Sequence, residues 1–173
     1  AAVERLPLVL IVADNQYAYS TPTSRQFACR DLVDKAIGYG VEGHSVDGTE
    51  LSACLEVVSE AVKRARGGAG PQMVVARLLR LCGHGEHDDA GYVDPALKLS
   101  AAGRDCLKVS EEYLLRKDWA DRQTIELWRS EVIQKVEEAV ATVQREPVPD
   151  PYMEEWRALS SQHLLEARGE PPD

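Results

Sequence analysis

Residues 8–12, LVLIV, form an unbroken run of branched apolar side chains. A strand of that kind offers no polar face to water, so it belongs in a parallel sheet covered on both sides. A second run, residues 73–79 (MVVARLL), follows Pro71 and has the same character. Between them lies the clearest helix of the chain, over residues 50–66. Leu51, Cys54, Leu55, Val58, Ala61, Val62 and Ala65 recur at three- and four-residue steps and fall on one stripe. Lys63, Arg64 and Arg66 suit its C-terminus, and Gly67-Gly68 stop it. An earlier helix is expected over residues 24–37. The glycine-punctuated segment 38–50 holds a short strand around His44–Val46. Strand, helix, short strand, helix and strand in succession predict an α/β fold with a parallel sheet and right-handed crossovers.

Beyond the second apolar run the character changes. Residues 82–95 hold three glycines, two histidines and four acidic residues without any period, so they read as a loop. After it only helical patterns remain, over 104–117 and 121–144. The longer one places Ile125, Trp128, Val132, Val136, Ala139 and Val143 in an inward row, and Asp121 is a natural N-cap for it. EPVPDP, 146–151, is a stiff linker, and 152–168 is expected to be a short docking helix.

Several function classes are excluded or disfavoured by composition. A net charge of −9 over 173 residues argues against a nucleic-acid binder held by a broad basic surface. No apolar run approaches the roughly 18–20 residues that a membrane span needs. Cysteines 29, 54, 82 and 106 form no CxxC pair, and a chain of this size builds a core without staples. Reduced thiols in a cytoplasmic compartment are therefore expected. At the N-terminus Glu4 and Arg5 cancel, Pro7 interrupts the apolar run and no processing site follows, which is not a signal-peptide pattern. The abrupt start without methionine leads to the expectation that the chain is the later part of a longer protein.

Ligands of open parallel sheets bind beyond the carboxyl ends of the strands. Two polar clusters occupy such ends: Asp14-Asn15-Gln16-Tyr17 after the first strand, and residues 80–89 (RLCGHGEHDD) after the last. Parallel topology predicts that both reach the same edge. The amide oxygen of Asn15 is a hard ligand of the kind Mg²⁺ takes, while Asp14 and Asn15 equally suit a plain turn. In the second cluster His84, His87, Asp88 and Asp89 suggest zinc or iron, but the spacing lacks a helical scaffold. A solvated acidic loop is the second reading. In the third, Arg80 and His84 face an anionic ligand as charge partner and proton donor, with Gly83 and Gly85 allowing close backbone approach.

In order along the chain, LPLVLIVADNQYAYSTPTSRQ, GYGVEGHSVDG, AVKRARGGAGPQ and RLLRLCGHGEHDD resemble the alpha subunit of the thiamine-diphosphate-dependent 2-oxo acid dehydrogenases of pyruvate and branched-chain type. The resemblance covers residues 6–150. It implies a thiamine-diphosphate-binding α/β fold over 1–100 that includes the cofactor loop, C-terminal helices over 101–145, and a linker and tail over 146–173. It further implies that Asn15 supplies a side-chain oxygen and Tyr17 a backbone carbonyl to Mg²⁺. By the same resemblance Asp14 replaces the first asparagine of the family's closing pair, and the Gly-Asp-Gly half of that motif is expected upstream of this sequence. Tyr19 falls where the family uses a bulky apolar residue to prop the cofactor, a departure that alters the pocket. Arg80 matches an arginine at the base of the family's loop. His84 matches the loop histidine, the catalytic group that contacts the diphosphate and assists acyl transfer. Gly85 stands where some eukaryotic members carry a phosphorylated serine, so that control is not implied here. The implied activity is oxidative decarboxylation of a branched-chain 2-oxo acid or pyruvate, with acyl transfer to lipoyl-lysine. The implied partners are a beta subunit, in an alpha2-beta2 heterotetramer, and a lipoyl-bearing acyltransferase. The opposing reading is a non-catalytic piece or degenerate homologue that serves subunit assembly.

Overall fold

The computed structural model describes residues 1–148 and Tyr152. The linker expected at 146–151 lies partly, and the helix expected at 152–168 almost wholly, outside the described residues. The chain divides into two units, Ala1–Ile125 and Glu126–Asp173.

The first unit is built on a three-stranded parallel sheet. Strand β1 (Val9–Asp14) and strand β4 (Glu42–Asp47) flank the central strand β5 (Gln72–Arg77). Between β1 and β4 the chain forms a small antiparallel ribbon, β2 (Tyr17–Ala18) with β3 (Thr21–Pro22), and the one-turn helix α1 (Lys35–Gly38). Helix α2 (Leu51–Arg64) crosses back from β4 to β5. It ends in a widened turn over Ala65–Ala69, where Gly68 takes a φ of 81° that favours glycine. The α/β class and the parallel sheet expected from the apolar runs are both present.

Of the three strands β5 is the most enclosed. Gln72, Met73, Val74 and Val75 are all buried, and Val74 is 1% exposed. Alternation sends Met73 and Val75 to one face, against Ala36, Val12, Leu32 and Val33. Val74 faces the other side with Val46, Ala61 and the inner stripe of α2. Gln72 begins the strand as a buried polar residue with full partners: its amide donates to the carbonyls of Gly70 and Pro71, both at 3.2 Å, and its oxygen lies 2.9 Å from His44 Nε2.

The continuous apolar run predicted a first strand covered on both faces. Instead β1 lies at an edge of the sheet, and Leu10 and Ile11 are exposed, Ile11 at 62%. Helix α2 covers β4 and β5 but does not extend far enough to cover all of β1. The helix expected over 24–37 is also absent. Two single 3₁₀ turns, Thr23–Arg25 and Leu32–Asp34, precede α1. Asp31 and Asp34 cap each other reciprocally around the second turn, so the helical start moves to residue 32.

Beyond the sheet, α3 (Pro95–Lys98) and α4 (Cys106–Arg116) each open on an aspartate N-cap. Asp94 accepts from the Ala96 N–H at 2.8 Å and Asp105 from the Leu107 N–H at 3.0 Å. Arg104, just before α4, reaches back to the turn after β4. It donates to Glu50 at 2.6 Å and to Asp47 and Thr49, both at 2.7 Å. Burial pushes the Asp47 carboxyl up, but the Thr49 hydroxyl and N–H together with Arg104 outweigh it and hold Asp47 below the usual carboxylate range.

Helix α5 (Arg122–Arg145) begins where expected, with Asp121 accepting from the Thr124 N–H at 2.7 Å. Its expected inward row is a correction. Ile125 is buried, but Trp128 is 46% exposed, and Val132, Val136, Ala139 and Val143 are exposed as well. The stripe specifies a helix face that can be buried and says nothing of what covers it.

All four cysteines are free. Among the described residues no helix is long and apolar enough to cross a membrane.

The uneven enclosure of the sheet has a measurable consequence. Val74→Ala at the centre costs about 2 kcal/mol of stability, whereas Ile11→Ala on the exposed edge stays within about 0.5 kcal/mol. Urea denaturation of the two variants checks the contrast; equal losses would contradict it.

Candidate functional site

Register brings the carboxyl ends of the three strands level. Asp14 and Asp47 both stand opposite Arg77. The chain leaving β5 then runs along the chain leaving β1: the Leu78 N–H donates to the Asp14 carbonyl at 3.1 Å, and the Arg80 N–H to the Asn15 carbonyl at 3.3 Å. The two polar clusters of the sequence therefore do share one edge.

The first cluster is a tight turn. Asn15 Oδ1 accepts from the Tyr17 N–H at 3.1 Å, and Gln16 has a φ of 70°. Asp14 is buried, with Oδ1 accepting from the Gln16 N–H at 3.4 Å. Thr23 closes the ribbon, its N–H and hydroxyl donating to the Gln16 carbonyl at 3.0 and 3.1 Å. Turn chemistry does not use up Asn15, since an amide oxygen has two lone pairs. A cavity of about 230 Å³ opens beside it, lined in part by Asp14, Asn15, Tyr17, Thr23 and Lys35.

The second cluster is organised by Asp88 and Arg80. Asp88 Oδ2 accepts from the His84 N–H and from the Tyr92 hydroxyl, each at 2.6 Å, while Oδ1 accepts from the Ala90 N–H at 2.9 Å. The Tyr92 hydroxyl, with the His84 and Ala90 N–H groups and the charge of Arg80, pulls the Asp88 carboxyl from an ordinary 3.8 to about 2. The same bond to Asp88 pushes the Tyr92 phenol up. Arg80 donates to the Cys82 carbonyl at 3.1 Å, to the Tyr19 carbonyl at 2.9 Å and to the Tyr92 hydroxyl. Beneath the loop, Leu79, Ala90 and Val93 form a small apolar floor with Tyr17, Tyr92 and Leu97.

Gly83 serves the loop itself. A Cβ there would meet the Asp88 carbonyl oxygen at 1.8 Å, so the backbone at 83 lies directly on residue 88. The closeness expected of a ligand is a closeness of the loop to itself. At Gly85 a Cβ would meet only the His87 ring, at 3.2 Å.

Of the residues singled out in the sequence, Tyr19, Arg80 and His84 come together. The rings of Tyr19 and His84 are perpendicular with centroids 4.9 Å apart, and Arg80 Nη1 lies 3.5 Å from His84 Nδ1. Asn15 joins them through the backbone of Arg80, and Tyr17 through its ring, 5.7 Å from that of Tyr92. Sequence reasoning missed Tyr92, and it placed Asp88 among candidate metal ligands or a solvated loop. Their four-residue separation inside a glycine-rich loop was the available signal. Among the described residues no three His, Cys, Asp or Glu side chains converge as a metal site.

The donor chemistry does fit a hard cation. The Asn15 amide oxygen and the Tyr17 carbonyl are neutral oxygens two residues apart, with the Asp14 carboxylate and the cavity alongside. His84, exposed in the loop that reaches the same edge, adds an acid–base group.

A family profile described as "Dehydrogenase E1 component" matches residues 1–152. The alpha subunit of an acetoin:2,6-dichlorophenolindophenol oxidoreductase from Cupriavidus necator is 34% identical over 152 residues, 87% of this chain and 46% of that protein. The 2-oxoisovalerate dehydrogenase alpha subunit of Bacillus subtilis is 32% identical over the same length and shares. A 3-methyl-2-oxobutanoate dehydrogenase alpha subunit from Mycobacterium tuberculosis is 47% identical over 89 residues, 51% of this chain and 24% of that protein. The chain thus spans half or less of the length of these relatives.

The loop network is testable without any ligand. Asp88 titrates near 2 in the folded chain, against an ordinary 3.8. The bonds to its carboxylate therefore stabilise the loop fully above the ordinary value and are lost as pH falls through the lower one. Tyr92→Phe removes the leading cause and moves the Asp88 value upward, which carboxyl-resolved NMR titration measures. An unchanged value would refute the network.

Proposed function

The chain belongs to the dehydrogenase E1 component family, and on that premise we propose that it is part of the alpha subunit of a thiamine-diphosphate-dependent 2-oxo acid dehydrogenase. The observation that carries this reading is the meeting of the Asn15 turn and the His84 loop at one carboxyl edge. In this reading residues 1–100 are part of a thiamine-diphosphate-binding domain, 101–145 are the C-terminal helices that follow it, and 146–173 are linker and tail. Asn15 and Tyr17 would hold Mg²⁺ through the amide oxygen and the backbone carbonyl. Bound thiamine diphosphate supplies the electron sink that decarboxylation requires.

The chain's own contribution is positioning and proton control. Tyr17 lines the cavity beside Asn15, and Tyr19 stands against His84 on the opposite loop. Arg80 fixes the base of the loop through its bonds to Tyr19, Cys82 and Tyr92. His84 would be the acid–base group that serves the diphosphate and acyl transfer to the lipoyl-lysine of an acyltransferase. A beta subunit completes the site in an alpha2-beta2 assembly in the cytoplasm.

For the substrate, a branched-chain 2-oxo acid or pyruvate fits this reading. The 47% identity to a 3-methyl-2-oxobutanoate dehydrogenase subunit and the 32% identity to a 2-oxoisovalerate dehydrogenase subunit favour the branched-chain acid.

The test uses the complete alpha subunit co-expressed with its beta subunit. Decarboxylation of 3-methyl-2-oxobutanoate is expected only with thiamine diphosphate and Mg²⁺ present. His84→Ala lowers acyl transfer to a lipoyl domain by about 10²–10⁴-fold, the usual worth of a positioned acid or base. Turnover that survives cofactor removal would overturn the reading. Turnover of acetoin alone would overturn the substrate. A complex that assembles but binds no cofactor would leave the assembly role in its place.

A further inference from the structure

We propose that Tyr19 is a positioning residue for His84, and that with Arg80 it clamps the imidazole as the tautomer protonated at Nε2. The importance of His84 rests on the function proposed above; the clamp itself rests only on the geometry.

Three contacts converge on the ring or its immediate support. The Tyr19 ring stands perpendicular to the imidazole at a centroid distance of 4.9 Å, the edge-to-face arrangement that aromatic pairs favour. Arg80 Nη1 lies 3.5 Å from Nδ1. A guanidinium has five donors and no acceptor, so this contact is favourable only when Nδ1 carries a lone pair. The proton of the neutral ring is then at Nε2. The His84 N–H is in turn held by Asp88 at 2.6 Å, which fixes the backbone from which the ring projects.

Tyr19 is itself fixed from the same side. Arg80 Nη2 donates to the Tyr19 carbonyl at 2.9 Å, so one guanidinium touches both members of the ring pair. Tyr19 also has a φ of 51°, a backbone conformation in which a side chain costs free energy and glycine would not. A large ring is nevertheless present there, and its neighbour is His84. An aliphatic side chain at this position could fill space but could not form the edge-to-face contact. The Tyr19 ring therefore acts on the histidine of the opposite loop.

The consequence is a loop histidine with one ring plane and one proton position. An unclamped exposed imidazole samples several rotamers and both neutral tautomers. Only the Nε2–H form can donate from the nitrogen that Arg80 does not occupy.

Long-range ¹H–¹⁵N correlation of the histidines in the full chain, at alkaline pH where imidazoles are neutral, tests this directly. The expected spectrum of His84 shows the Nε2–H tautomer and ring protons displaced by the ring current of Tyr19. Tyr19→Phe keeps both signatures. Tyr19→Leu loses the ring-current displacement and gives averaged tautomer signals. The Asp88 carboxyl still titrates near 2 in that variant if the loop remains built. His84 signals unchanged in Tyr19→Leu, or lost equally in Tyr19→Phe, would overturn the proposal. So would an Nδ1–H tautomer in the unaltered chain. Failure of the complete alpha–beta complex to bind thiamine diphosphate, with the His84 signatures intact, would refute the proposed function and leave the clamp standing.

Discussion

The shared register of three parallel strands is the constraint on which the rest of the first unit depends. Val9–Asp14 and Glu42–Asp47 both pair with Gln72–Arg77, end to end. A slip of one residue would exchange the faces on which Val74 and Val75 lie and expose one of the two apolar clusters. It would also separate the Arg80 N–H from the Asn15 carbonyl, the bond that sets one functional loop beside the other. Core packing and site geometry are therefore two readings of one ladder. Arg104 reinforces the far side of that edge by tying the segment before α4 to Asp47, Thr49 and Glu50.

The loop after β5 is held differently. It has a small apolar floor, and above that floor its shape comes from one carboxylate and one guanidinium. Asp88 gathers three donors and Arg80 serves four acceptors, so a segment rich in glycine takes a single course. Such charge-assisted bonds are directional in a way that burial is not. Directionality is what an exposed histidine needs if its ring is to face one way.

Much of the architecture was legible in the sequence because it follows from periodicity. The stripe from Leu51 to Ala65 gave α2, the branched runs gave β1 and β5, and Asp121 marked the start of α5. Local hydrogen bonding was less legible. Asp31 and Asp34 form a reciprocal cap that a helical pattern over 24–37 does not reveal. Burial was the least legible, because it depends on neighbours: Ile11 and Trp128 have ordinary core composition yet lie exposed. At the site, residue types pointed to Asn15, Arg80 and His84, while Tyr17 and Tyr19 were singled out only by the family resemblance. The pairing of Asp88 with Tyr92 left only a four-residue separation as its signal, because the bond itself depends on the path of the loop.

The contact between residues 83 and 88 also sets what the loop can become by mutation. Every single replacement of Gly83 adds a Cβ within 1.8 Å of a backbone oxygen, and backbone cannot step aside as a side chain can. Two positions later the obstacle is the far end of a histidine ring, which can turn away. Divergence in this loop is thus closed at 83 and open at 85. A new hydroxyl or other small side chain can be acquired beside His84 without rebuilding the turn that carries it.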